Sequence, residues 1–215
     1  MTKTLKIDFV SDVACPWCVI GLTALEQALE RTKGEVEADI DFHAFELNQA
    51  MAAGGQNMIQ HVGEKYGISP EQARTNREKI RARAAELGFT MGTSDASRIY
   101  NTFDAHRLLY WAKDQGKQLA LKKNLFVANF TDQQDPGDHD VLIAAARKSG
   151  LDAETAREIL SSDRFAEEVR EEERYWQDRG ISGVPAVIIE NKYLVSGGQP
   201  AEIFEKALRE VAAQS

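Results

Sequence analysis

The sequence predicts an α/β protein in which a βαβ unit at the start and a ββα unit at the end close into one sheet around a long helical block. Three observations predict it. Leu5 to Val10 (LKIDFV) reads as a strand that leads to Cys15-Pro16-Trp17-Cys18 and then to a helix. Val36, Ala38, Ile40, Phe42 and Ala44 alternate with Glu37, Asp39, Asp41 and His43, the period of a half-buried strand. Near the end, VPAVIIE and YLVS flank a turn at Asn191-Lys192 and precede an amphipathic helix. Neither terminal piece alone makes a stable sheet, whereas four strands with flanking helices do.

Taken in order, the first helix spans Val19 to Arg31 and offers Ile20, Leu22, Leu25, Ala28 and Leu29 for packing. After Phe45, helical signals dominate for about 130 residues. In Ser69-Pro70-Glu71-Gln72 the serine caps, the proline sits in the first turn and the glutamine completes a capping box, and Gly88 ends that helix. Ile99, Phe103, His106 and Tyr110 are expected on one helical face, and Leu121, Leu125 and Ala128 on another. Leu142 to Ala146, Ala156 to Leu160 and Phe165 to Trp176 continue the pattern, while Gly54-Gly55 and Asp132 to Asp140 read as loops. Gly197-Gly198 breaks the last strand and Pro200 opens a helix with Ile203, Phe204, Ala207, Leu208 and Val211 inward. Residues 1–45 and 180–215 therefore form the sheet domain, with the helix before 180 packed on it, and 46–179 form a helical insertion.

At 215 residues, with 43% hydrophobic and 28% charged side chains, the chain has ordinary globular composition and length enough for a substantial core. A net charge of -8 argues against a nucleic-acid or anionic membrane partner. The start, MTKTLKIDFVSD, enters a strand without the charged, apolar and small-residue succession of a secretory signal, so a cytoplasmic protein is expected.

Both cysteines lie in the CPWC motif, two thiols one helical turn apart at a strand-to-helix junction. Free N–H groups and the helix dipole at such a junction favour a thiolate, so Cys15 is the expected nucleophile. Cys18, one turn deeper, is the expected resolving thiol. A structural zinc site needs four ligands, and His43, His61, His106 and His139 have no finger-like spacing, so no metal is expected. A structural disulfide closing so short a loop constrains the unfolded chain little. Redox chemistry is favoured, with Trp17 exposed between the thiols as part of the apolar surface that receives substrate.

CPWC after the first strand, with Gly183-Val184-Pro185-Ala186 before the third, resembles the thioredoxin fold with a helical insertion, as in the DsbA-like family. SDVACPWCVIG at Ser11 to Gly21, NTFDAHRLL at Asn101 to Leu109 and SGVPAVIIENKYLVSGGQP at Ser182 to Pro200 are similar to its cytoplasmic FrnE-like branch. The resemblance runs nearly end to end and implies a thioredoxin fold (βαβ…ββα) with a long all-helical insertion. It implies a cis Pro185 packed by the thiols, with the Val184 backbone open to an extended substrate. It also implies a buried acid below the second cysteine, a place for Asp8. Asp12 is the rival, with capping of the turn or helix start as its plainer role. His106 is the candidate beside the substrate cleft, against the plainer role of a hydrogen-bonded core histidine.

The activity implied is thiol–disulfide exchange by the Cys15/Cys18 pair, as a reductase or isomerase of protein disulfides, because a cytosolic poise of about -220 to -320 mV keeps an oxidising pair reduced. Expected substrates are disulfide-containing proteins or small thiols, with no bound cofactor and glutathione as a candidate redox partner. Two alternatives stay open. Kappa-class glutathione transferases and hydroxychromene-carboxylate isomerases carry a serine at the place of Cys15, and a glutathione-dependent transferase or isomerase is the first alternative. A redox-sensing binding module or holdase is the second.

Overall fold

The computed structural model describes residues 2–214. The first unit is β1 (Lys3–Ser11), α1 (Pro16–Arg31) and β2 (Val36–Ala44). The insertion follows with β3 (Gln56–Asn57), α2 (Met58–Tyr66), α3 (Pro70–Glu86), β4 (Arg98–Ile99), α4 (Phe103–Asp114) and α5 (Gln118–Phe126), which runs into a π-helical turn at Val127–Thr131. After it come α6 (His139–Lys148), α7 (Ala153–Leu160) and α8 (Ala166–Asp178). The chain closes with β5 (Ala186–Ile189), β6 (Tyr193–Ser196) and α9 (Ala201–Gln214).

The two ends build one four-stranded sheet in the order β2-β1-β5-β6. β1 runs parallel to β2, with Lys3 opposite Val36 and Ser11 opposite Ala44, and antiparallel to β5, with Ile7 opposite Ile189. Alternation along β1 sorts its side chains. Leu5, Ile7 and Phe9 enter the core shared with α1 and α9, alongside Ile20, Leu25, Phe204 and Leu208. Val10 packs on the other face with Trp176 of α8, Phe45 and Ala186.

The insertion has its own core, in which Leu108, Leu121, Leu125, Leu142 and Ile159 pack around Val13 from the loop before the cysteines. It also closes the open edge of the sheet. Gln118 of α5 accepts from the Phe42 N–H at 2.9 Å and donates to the Phe42 carbonyl at 2.8 Å, so an edge-strand peptide that would otherwise face an apolar surface is paired. The capping box forms as the sequence predicts, Ser69 N–H to Gln72 Oε1 at 2.8 Å and Gln72 N–H to Ser69 Oγ at 3.2 Å, and Gly88 takes φ +85° past the helix end.

The insertion departs from an all-helical block in one place. β3 and β4 pair antiparallel, so Ile99 lies on a strand and the helix expected to hold it starts only at Phe103. Two-residue strands carry no period to read. What fixes them is the Arg98 guanidinium, which donates to the carbonyls of Gly54 at 2.8 Å and Gly55 at 2.7 Å. Among the described residues no helix is long and apolar enough to cross a membrane.

Candidate active site

Cys15 is the N-cap of α1 and Pro16 occupies the first turn, where a missing N–H costs nothing. Both thiols are free. Cys15 is 3% exposed and its Sγ lies 3.5 Å from the Val184 carbonyl oxygen, while Cys18, one turn on, is fully buried. Burial, reinforced by the Cys15 sulfur beside it, raises the Cys18 thiol well above its ordinary value. Both thiols are thus enclosed, Cys15 against the Val184 carbonyl and Cys18 one turn deeper, where burial keeps it protonated.

The Val184–Pro185 bond is cis. Two glycines let the surrounding backbone close on the motif. A Cβ on Gly21 of α1 would stand 3.0 Å from Pro185 Cγ, and one on Gly198 would stand 3.0 Å from the Trp17 ring and carbonyl. Trp17 itself is 42% exposed, an indole at the rim of the thiol site.

The loop that delivers Cys15 is gripped by the insertion. Asp12, 1% exposed, accepts from Ala14 N–H at 3.1 Å, Leu47 N–H at 2.8 Å and Thr102 Oγ at 2.8 Å, and His106 Nε2 lies 3.4 Å from its Oδ1. Burial alone would raise this carboxyl, but His106 and the two N–H donors outweigh it and hold Asp12 below the usual carboxylate range. Asn129 donates to the Val13 carbonyl at 3.2 Å. Asp12 thus closes the turn through Ala14 and does not cap α1 itself.

Two expectations are corrected. Asp8 does not lie beneath Cys18. Alternation puts it on the face opposite Ile7 and Phe9, whereas Cys18 shares their core, so Asp8 turns to β2 and α8 and meets His43 Nε2 at 2.9 Å. His43 Nδ1 meets Glu172 at 2.7 Å. Burial opposes protonation of His43, but hydrogen bonds to Asp8 and Glu172 prevail and raise it above its ordinary value. His106, the candidate for a place beside the substrate cleft, takes instead the plainer role of a core histidine, 2% exposed and turned inward on Asp12. Asp8, Asp41 and His43 offer ligand atoms within 4.8 Å of one another, yet each has a protein partner already, Asp41 pairing with Lys6 at 3.1 Å and Lys113 at 2.9 Å.

Two further features lie outside what local patterns in the sequence single out. Lys122 of α5 is 1% exposed, with Nζ 5.3 Å from the centroid of the Phe126 ring, and burial pushes its ammonium down to about 8. Beside Ala14 and Pro16, a cavity of about 140 Å³ is walled by Met58, Ile59, Met91 and Phe130, with the Thr93 hydroxyl unpartnered at its lining. The insertion supplies nearly all of that wall.

A sheet of this order with free thiols at a helix N-terminus, facing a cis proline, defines the dithiol class of thioredoxin-like proteins. The chain belongs to the DsbA-like thioredoxin domain family, whose model matches residues 6–209. It is similar to a probable DsbA oxidoreductase from Streptomyces coelicolor, at 35% identity and TM-score 0.90 over 98% of this chain and 91% of that one. It is 25% identical to the uncharacterized protein YwbO of Bacillus subtilis, over 95% of this chain and 96% of that protein. The fold is shared with the cytosolic disulfide reductase DsbM of Pseudomonas aeruginosa, solved with GSH, at 16% identity and TM-score 0.65 over 97% of this chain and 100% of that one. Family membership makes it a thiol–disulfide oxidoreductase in the general sense.

Proposed function

We propose that the protein reduces or isomerises disulfides through Cys15 as nucleophile and Cys18 as resolving thiol. The Cys15 thiolate attacks a substrate disulfide and forms a mixed disulfide, and Cys18 then attacks Cys15 and releases the reduced product. The observation that carries this reading is the division of the pair, with Cys15 at the N-terminus of α1 against the Val184 carbonyl and Cys18 wholly buried one turn behind. The exposed indole of Trp17 and the apolar cavity beside Pro16 support contact with apolar groups around the substrate disulfide.

The setting proposed is cytoplasmic, with glutathione or another small thiol to recycle the pair and disulfide-containing proteins or small disulfides as substrates. DsbM, a cytosolic reductase of the same fold solved with GSH, is consistent with that choice. Reaction with glutathione disulfide followed by mass measurement tests the assignment. Cys18→Ser should retain one glutathione on Cys15, and Cys15→Ser should retain none. Equal trapping by both variants would reverse or erase the roles, and small-molecule turnover that survives Cys18→Ser would favour one-thiol, glutathione-dependent chemistry instead.

A further inference from the structure

Native interiors seldom keep a void much larger than a water molecule. The cavity beside Pro16 is about 140 Å³, and three uncommon backbone features frame it. The π-helical turn Val127–Thr131 puts Asn129 and Phe130 on its wall. Gln133, on the same wall, takes φ +57°. Gly92 N–H donates to the Phe130 carbonyl at 2.8 Å, and a Cβ there would stand 2.6 Å from the Thr131 carbonyl oxygen, so only glycine brings Met91 and Thr93 this close to the turn. The chemistry of the wall selects an occupant. Met58, Met91 and Phe130 favour an aromatic ring over an aliphatic chain through sulfur–ring and ring–ring contacts. The space is that of one ring, since an engineered apolar cavity of about 150 Å³ takes up benzene. At the polar end Asn129 donates to the Val13 carbonyl and Gln133 to the carbonyls of Asn129 and Phe130, so both amides are engaged. The Thr93 hydroxyl is buried at the lining without a partner, and a ring with one hydrogen-bonding group satisfies it. Ala14 and Pro16, peptide-bonded to Cys15 on either side, belong to the wall, whereas no described residue of the segment 184–200 does. The cavity is therefore separate from the backbone edge at Val184.

Resting on the dithiol reading above and deepening it, we propose that this cavity holds a phenol ring of the substrate, and that the preferred substrates are small disulfides carrying a hydroxyphenyl group. The Cys15 thiolate attacks the sulfur that carries the ring. The S–S bond breaks, its electron pair leaves with the other half as a thiolate, and the mixed disulfide on Cys15 keeps its ring among Met58, Met91 and Phe130. Cys18 gives its proton to water and attacks the Cys15 sulfur, and the ring thiolate leaves with the electron pair of that bond. Both substrate halves end as thiols after protonation by water, and the protein pair ends as a disulfide that glutathione or another small thiol reduces again. The ring adds a contact that an aliphatic disulfide lacks.

The test uses the full-length reduced protein and has a binding arm and an exchange arm. Phenol should raise the thermal unfolding midpoint as its concentration rises, and benzene should raise it less. Ala73→Leu, which turns an isobutyl group from α3 into the cavity, should abolish both shifts. Thr93→Val keeps the shape of the wall, covers the case in which Ala73→Leu does not fold, and should leave phenol no better a ligand than benzene. In the exchange arm, the rate on bis(4-hydroxyphenyl) disulfide divided by the rate on glutathione disulfide cancels general damage to the thiols. That ratio should fall at least about tenfold in Ala73→Leu, and it should fall in Thr93→Val as well. Wild-type protein that reduces neither disulfide refutes the dithiol reading, whatever phenol does. Phenol that leaves the wild-type midpoint unmoved, or moves that of Ala73→Leu as far, overturns the proposal, and so does a rate ratio unchanged in both variants. A fall confined to a cystine peptide with tyrosine beside its cysteine would give the ring to a protein side chain and overturn the small-molecule assignment.

Discussion

Replacing Asp12 measures how firmly the insertion holds the thiol loop. Its carboxylate has three donors around it, Ala14 N–H and Thr102 Oγ on one oxygen and Leu47 N–H on the other. Asp12→Asn keeps the shape but turns one oxygen into a donor, so in either amide orientation at least one buried donor loses its acceptor. The cost is about 1–3 kcal/mol. Asp12→Ala removes all three bonds but also removes a buried charge, and net losses from such breaks run about 3–5 kcal/mol. Against a total stability of about 5–15 kcal/mol, alanine should leave a marginal protein and asparagine a folded one. Urea unfolding with unchanged slope reads both as midpoint shifts. The sign with pH follows from the lowered carboxyl. Its contribution is present above the unfolded value of about 3.9 and is lost as pH falls through the folded value. The gap between wild type and Asp12→Asn should therefore close in acid. Asparagine at wild-type stability, or a gap that ignores pH, would refute the account of Asp12 as an ionised clamp.

Two further outcomes are expected. His43 is raised, so its contribution is complete below the unfolded value of about 6.5 and lost as pH climbs through the folded one. Urea midpoints should fall as pH rises above about 6.5, and His43→Gln should flatten that fall; an unchanged slope in the variant would assign it elsewhere. Gly21→Ala gains about 1 kcal/mol of helix propensity, but its Cβ at 3.0 Å from Pro185 Cγ costs about 1–3 kcal/mol of overpacking. The variant should be less stable and exchange disulfides more slowly, and a more stable Gly21→Ala would show that the proline ring yields freely.

What the sequence made legible was whatever a local pattern encodes. β1, α1 and β2 follow from period and punctuation, the capping box at Ser69 from four adjacent residues, and the thiol site from the two cysteines in one motif. The Asp8 assignment failed for a reason already in the alternation, since a residue opposite Ile7 and Phe9 faces away from the core that Cys18 joins. Lys122 was harder. Next to Lys123 it reads as surface charge, and the one local signal is its place three and four residues before Leu125 and Phe126 on the apolar face. Tertiary packing decides between the neighbours, sending Lys123 out to Glu26 at 2.8 Å and Lys122 inward over the Phe126 ring.

The division of labour between the two parts of the chain has a thermodynamic consequence. The sulfurs belong to the sheet domain, yet the polar groups that hold the loop before them come largely from the insertion: Leu47 N–H and Thr102 on Asp12, and Asn129 on Val13. Because these bonds hold the loop before Cys15, opening of the insertion and loosening of the thiol loop are one event. Thr102→Val removes one of the three donors on Asp12, so the Ala14 and Leu47 amides, which share that carboxylate, should lose hydrogen-exchange protection together. Protection lost at neither amide, or at Ala14 alone, would show that the insertion touches the thiol loop without holding it.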